Sequence, residues 1–163
     1  FVNACIAVGL SVKKTTGIYT PPPTSHKGFV VSLIRHPYDW LYSYYSAFQG
    51  EVLGVRCVDQ FAVYARNCGQ FDDFVKHFLW YTPGTLGRMF AQYQASTVMR
   101  VEDMPWAAIE FFVSLGVSER QAYQVQHIKP QGVSNGRPLT LNESLRKQVM
   151  EAEKELCERY EYN

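Results

Sequence analysis

The chain has 163 residues, of which 47% are apolar, and this size and composition suit one compact domain over residues 1–163. Charged residues make up 19% and nearly balance, so the formal net charge of +1 gives no reason to expect a nucleic-acid or anionic-membrane partner. Any anion site must therefore be local. The longest apolar runs are far shorter than the roughly 20 residues of a membrane-spanning helix, so we expect a soluble protein.

The cysteines and histidines indicate neither a metal site nor a redox site. The four cysteines include no CxxC pair, which removes the spacing of a zinc site or a redox dithiol, and the four histidines are scattered. A disulfide between Cys57 and Cys68 stays open on spacing alone, although such frameworks belong mainly to small secreted domains. We therefore expect free thiols, no metal cofactor and a reducing, cytoplasmic location.

The first elements in chain order are a helix, a loop, a strand and a second helix. Residues 1–10 have helical apolar spacing with no polar cap ahead of them, so we expect that the sequence is cut at its N-terminus. Residues 13–27 are polar and Pro-rich, which predicts a loop. Residues 28–34 favour a strand buried on both faces of a parallel sheet. Pro37 suits the first turn of the next helix, which makes His36 a helix-start residue.

The middle of the chain predicts further helices and a second strand. Apolar residues within 71–79 follow the i, i+3, i+4, i+7 pattern and indicate a helix that stops near Thr82. Residues 86–93 predict a short helix, residues 96–101 a strand, and residues 106–115 another helix.

The last part of the chain predicts a short helical stretch, a basic loop over residues 127–139 and a final helix. Thr140 and Glu143 have the spacing of a capping box, and one apolar stripe runs from Leu145 to Tyr160. Strands that alternate with helices favour an α/β layer fold with a parallel sheet, of which at least one strand is expected upstream.

One segment carries the residues of an anion site. A strand delivers Arg35 to its carboxyl end, and the following helix presents Ser43 eight residues later. Arg offers a rigid fork of donors to a phosphate, Ser adds a neutral donor, and open α/β folds bind ligands beyond the carboxyl ends of their strands. Asp39 lies one turn before Ser43 and could brace either residue. The alternative interpretation is that Arg35 caps a helix or pairs with Asp39.

The pattern Arg-x-Pro-x-Asp, followed by Ser at the eighth position and then by aromatic residues, resembles the 3'-phosphate-binding motif of sulfotransferases. Those enzymes use 3'-phosphoadenosine-5'-phosphosulfate as the donor. The resemblance implies a three-layer α/β/α domain of the P-loop nucleotide-binding type, in which Arg35 and Ser43 contact the 3'-phosphate. It extends to residues 96–104, which are similar to the family's late strand and Glu-Asp turn, and to the Phe-rich helix at residues 71–79.

The resemblance also implies a reaction, the transfer of a sulfuryl group to the hydroxyl or amine of a small-molecule or saccharide acceptor, for which no metal is needed. His26 lies in the neighbourhood of the family's catalytic histidine and is the candidate base, with Glu51 and Asp59 as alternatives. Lys129 or Arg137 in the late basic loop could fold over the 3'-phosphate, or could be solvated loop charges.

The acceptor pocket of such an enzyme is shaped by loops, here residues 13–27 and 50–70. An aromatic content of 15% is compatible with an aromatic pocket, but helical spacing favours a core position for many of the rings. The rings on these helical stripes are Tyr44, Tyr45, Phe74 and Phe78.

The chain departs from the family pattern in two places. It contains no phosphate loop for the 5'-phosphosulfate, which we expect just upstream of residue 1, and without that loop the chain as written should be weakly active or inactive. Val101 stands where many family members have Tyr near the adenine. Two other functions stay open: a non-catalytic binding or structural protein that retains the fold, and a nucleotide or small-molecule kinase of the same broad fold.

Overall fold

The structure is a computed structural model and describes residues 2–10, 29–49, 60–92, 95–128 and 142–163. In these ranges the chain is mostly helical with a small parallel sheet, which confirms an α/β composition. In chain order the elements are α1 (Val2–Ala7), β1 (Val31–Ile34), α2 (Pro37–Gln49), α3 (Gln60–Asn67), α4 (Phe71–Tyr81), α5 (Thr85–Gln92), β2 (Thr97–Arg100), α6 (Trp106–Ser114), α7 (Glu119–Ala122), α8 (Glu143–Ala152) and α9 (Lys154–Arg159), with 3-10 turns at Val101–Asp103 and Tyr123–His127.

The sheet of the described chain consists of β1 and β2, which pair in parallel from Val31↔Thr97 to Ile34↔Arg100. Both strands lie where the sequence predicts them, but β1 begins three residues late because Phe29 is 69% exposed and lies outside the ladder. The expected burial on both faces is reached only at Ile34, since the three preceding strand residues are half-buried.

The chain divides into two compact units, and each is formed by two chain segments. Unit 1 comprises residues 1–34 and 89–131, and unit 2 comprises residues 35–88 and 132–163. The core of unit 1 brings α1, α6, α7 and the second 3-10 turn together around a small apolar cluster. The buried members of that cluster are Ala4, Cys5, Val8, Ala108, Ile109, Phe112, Ala122 and Val125.

Unit 2 is a helical assembly in which α2 packs against α3, α4 and α8. Tyr44 stacks on Phe74 with the ring centroids 6.1 Å apart, and Phe78 is buried as well. Tyr45 is half-buried against the same helix, and its hydroxyl donates to the carbonyl of Cys68 at 3.2 Å. Tyr44, Phe74 and Phe78 thus belong to the core of unit 2, with Tyr45 half-buried against them, which confirms the interpretation drawn from their helical spacing.

Three local expectations are wrong. Residues 50–70 are not all loop, because α3 occupies Gln60–Asn67 and packs through Ala62 and Ala65, which are too small to give a strong apolar stripe. The last helix begins at Glu143 with Asn142 as its N-cap, two residues after the N-cap that the predicted capping box requires, and Thr140 lies outside the described residues.

The third correction is that the final helix is two helices. The chain leaves helical geometry at Glu153, with φ −110° and ψ 28°, and the second helix starts at the next residue. The break turns the Glu153 side chain inward, where it is 2% exposed. An apolar stripe alone could not reveal this, because the stripe continues through the break.

Candidate anion site at the start of helix α2

Arg35 lies directly after β1 and two residues before α2, as the strand-turn-helix pattern predicts. Its side chain is half-buried. Within the described residues it makes no ion pair or hydrogen bond, so neither the pairing with Asp39 nor the helix-capping role occurs there. A guanidinium in that situation has its whole fork of donors available to an anion.

The first turn of α2 is closed by its own residues. Pro37 has no N–H group, and the N–H of Tyr38 donates to Nδ1 of His36 at 3.2 Å. The N–H of Trp40 donates to the His36 carbonyl at 2.8 Å. His36 is thus a helix-start residue, as predicted, and an anion at this place would depend on side chains more than on free helix N–H groups.

A second guanidinium meets the same turn. The His36 ring is 5% exposed, lies edge-on against Tyr162 at 5.5 Å, and places Nε2 3.4 Å from Nη2 of Arg146 in α8. At 3.4 Å this contact is long, and the tautomer of the imidazole decides whether Nε2 accepts from Arg146.

The start of α8 is fixed to α2 and α4. Tyr38 is 0% exposed and packs edge-to-face on Phe71 at 5.3 Å; burial raises the pKa of its hydroxyl, and the nearby N–H of Asn142 partly offsets that rise. Asn142 accepts from the N–H of Leu145 at 3.2 Å and donates to the carboxylate of Asp72 at 2.6 Å. These contacts keep the first turn of α8, and Arg146 with it, beside the first turn of α2.

Ser43 lies in the second turn of α2 and is half-buried. Asp39 is four residues earlier and shares its helix face, whereas Tyr38 and Tyr45 contact Phe71 on the other side of the helix. No hydrogen bond joins Arg35 to Ser43 in the part of the chain that the structure describes. Arg35 therefore lies before the first turn of this helix and Ser43 in its second turn, with no hydrogen bond between them.

The remaining predicted site residues fall outside the described residues. These are His26, Glu51, Asp59, Lys129 and Arg137. The described chain resumes after the late basic segment at Asn142, next to Tyr38.

A buried carboxylate forms a second polar centre in unit 2, which the sequence did not single out. Glu153 accepts from the N–H groups of Leu86 at 3.1 Å and Gly87 at 2.9 Å, in the first turn of α5. Burial raises the pKa of Glu153, while these two hydrogen bonds and the charge of Arg88 act in the opposite direction. The protein's own backbone thus satisfies this charge.

Other polar features do not add to the site. An open cavity of about 680 Å³ beside α8 and α9 is lined by Lys147, Lys154, Glu151 and Glu158, among others, but by neither Arg35 nor Ser43. Its lining contains three glutamates and two lysines, so it carries no net attraction for an anion.

The described thiols, of Cys5, Cys68 and Cys157, are free, and burial raises the pKa of each. A raised pKa lowers the fraction of reactive thiolate. Among the described residues, no three His, Cys, Asp or Glu side chains are grouped so that they could hold a metal ion. No helix in the same ranges is long and apolar enough to cross a membrane. No protein-family model, no curated protein and no solved structure matches the chain.

Proposed function

We propose that the protein is a sulfotransferase, which transfers a sulfuryl group from 3'-phosphoadenosine-5'-phosphosulfate to the hydroxyl or amine of a small-molecule or saccharide acceptor. One observation carries the proposal. Arg35 stands half-buried between a parallel strand and a helix, at the motif position, and has no carboxylate partner within the described residues. A cation held this way is costly unless an anion binds there.

In the proposed enzyme, Arg35 binds two oxygens of the 3'-phosphate and Ser43 donates to it from the adjacent helix face. Lys129 or Arg137 is the further candidate ligand of this phosphate. The domain is a three-layer α/β/α fold of the P-loop type, to which further strands belong. These residues bind and orient the donor. Positioning and electrostatic stabilisation of this kind supply most of the rate enhancement when a charged group is transferred.

The acceptor heteroatom attacks sulfur, and its new S–O or S–N bond forms as the bond from sulfur to the 5'-phosphate oxygen breaks. The acceptor proton passes to a base, for which His26 is the candidate, and 3'-phosphoadenosine-5'-phosphate leaves with the bonding electron pair. No metal is required, because cationic side chains can stabilise the leaving phosphate.

The test is calorimetric titration of 3'-phosphoadenosine-5'-phosphate into the wild type and into Arg35→Ala and Ser43→Ala variants. We expect binding by the wild type, a loss on the order of 10-fold to 100-fold for Arg35→Ala, and a smaller loss for Ser43→Ala. Arg159→Ala is the matched control, because Arg159 is an exposed arginine at the end of α9 that lies over the Tyr160 ring.

A folded wild type that does not bind this nucleotide would overturn the proposal and favour the non-catalytic binding or structural protein. Binding of magnesium-ATP in its place would favour the kinase.

A further inference from the structure

The sequence gives no indication that Arg146 has a special role, because it is one of several polar positions in an amphipathic helix. Three features set it apart in the structure. It lies in the first turn of α8, it is half-buried, and it reaches His36, a residue 110 positions away in the chain. His36 directly follows Arg35, so Arg146 contacts the residue next to the motif arginine from a distant segment of the chain.

The charge of Arg146 is not neutralised by the described protein. Its polar side-chain neighbour in these ranges is the His36 ring nitrogen at 3.4 Å, and no carboxylate pairs with it there. Arg35 is in the same condition. Each half-buried cation loses part of its hydration, and a multiply charged anion bound by both would offset that cost.

The helix that carries Arg146 is anchored at its start. Asn142 caps this helix and also donates to the Asp72 carboxylate in α4. A fixed helix loses little conformational freedom when a ligand binds to its side chains, which favours a binding site over a chance surface charge.

We infer that Arg146 is a second cationic ligand of the anion that Arg35 binds, and that it contacts the 3'-phosphate of the nucleotide. This inference rests on the proposed function. A phosphate has three free oxygens, enough for the fork of one arginine and a further N–H donor of another. Arg146 would then discriminate nucleotides that carry the 3'-phosphate from those that lack it.

The test compares three ligands by calorimetry: 3'-phosphoadenosine-5'-phosphate, adenosine 3'-monophosphate and adenosine 5'-monophosphate. They are titrated into the wild type, Arg146→Gln, Arg146→Lys and the charge-matched control Arg159→Gln. For Arg146→Gln we expect a loss on the order of 10-fold or more for the two ligands with a 3'-phosphate and no change for adenosine 5'-monophosphate. Arg146→Lys should keep part of the affinity, because it keeps the charge without the fork.

The outcomes separate the inference from the proposed function. If the wild type binds the 3'-phosphate ligands and Arg146→Gln binds them as Arg159→Gln does, the inference is wrong and the proposed function stands. If Arg146→Gln weakens all three ligands equally, Arg146 only supports the fold and the inference is again wrong. If the folded wild type binds none of the three, both fail. Should Arg146→Gln not fold, the same comparison is made with Arg146→Lys, for which unchanged affinity overturns the inference.

Discussion

Unit 2 contains a buried negative charge and two half-buried positive charges, which differ in whether the protein itself supplies their hydrogen-bond or ion-pair partners. Glu153 is almost fully buried, and two backbone N–H groups at the start of α5 hold its carboxylate. Arg35 and Arg146 are half-buried, and within the described chain neither has a carboxylate partner. The negative centre is completed by the protein, whereas the positive centre is left open.

This difference in partners distinguishes a charge that stabilises the fold from a charge that is available to a ligand. A buried charge whose hydrogen bonds are all made inside the protein contributes to stability, and its removal exposes orphaned donors. A buried charge that lacks such partners is destabilising by itself and persists where a ligand uses it. The two centres should therefore respond differently to substitution.

The largest expected effect is on stability at the negative centre. Glu153→Ala removes two charge-assisted hydrogen bonds and leaves the N–H groups of Leu86 and Gly87 without acceptors, so the free energy of unfolding should fall by about 2–4 kcal/mol. Urea denaturation measures it. Arg35→Gln and Arg146→Gln should change the same quantity by less than about 1 kcal/mol, because they break no ion pair in the described chain.

Equal losses at both centres would remove the distinction between them. So would a Glu153→Ala variant that stays as stable as the wild type.

The next effect is on pH dependence. Burial raises the pKa of Glu153 above its ordinary value of 4.5, so the folded state binds this proton more tightly than the unfolded state does. Its contribution to stability is then greatest below that ordinary value and declines as the pH rises through the raised pKa. We expect the stability of the wild type minus that of Glu153→Gln to decrease from pH 4 upward, as measured by urea denaturation at each pH. A difference that increases with pH would mean that the hydrogen bonds outweigh burial.

The smallest effect concerns two glycines near the same carboxylate. A Cβ at Gly87 would lie 3.5 Å from Glu153 Oε2, an ordinary contact, so Gly87→Ala should stabilise α5 by up to about 1 kcal/mol. Gly84 has φ +72°, a left-handed conformation, so Gly84→Ala is the paired variant and should cost about 1 kcal/mol. Thermal unfolding distinguishes the signs. A destabilised Gly87→Ala would show that the carboxylate cannot tolerate the added methyl group.

Much of the fold could be predicted from local sequence. Pro37 marks the start of α2, Thr82 follows the end of α4, and β1 and β2 lie where β-branched runs end in charged residues. These signals act within a few residues. Helix α3 could not be predicted, because its buried residues Ala62 and Ala65 are too small to produce a clear apolar stripe in the sequence.

The site divides in the same way. Arg35 and Ser43 could be proposed because one motif of nine residues contains both. Arg146 and Glu153 could not, since the partners that give them meaning are 110 and 67 positions away in the chain. Spacing along a helix carries no information about contacts that distant.

Unit 2 is formed from two stretches of chain that are interrupted by residues 89–131 of unit 1. During synthesis the first stretch leaves the ribosome a few seconds before the second, at about 5–20 residues per second. The parts of α2 and α4 that pack on α8 stay uncovered through that interval, because α8 has not yet been made. A chaperone that binds nascent apolar helices would have its opportunity there, and slowing of translation between the two stretches should increase aggregation.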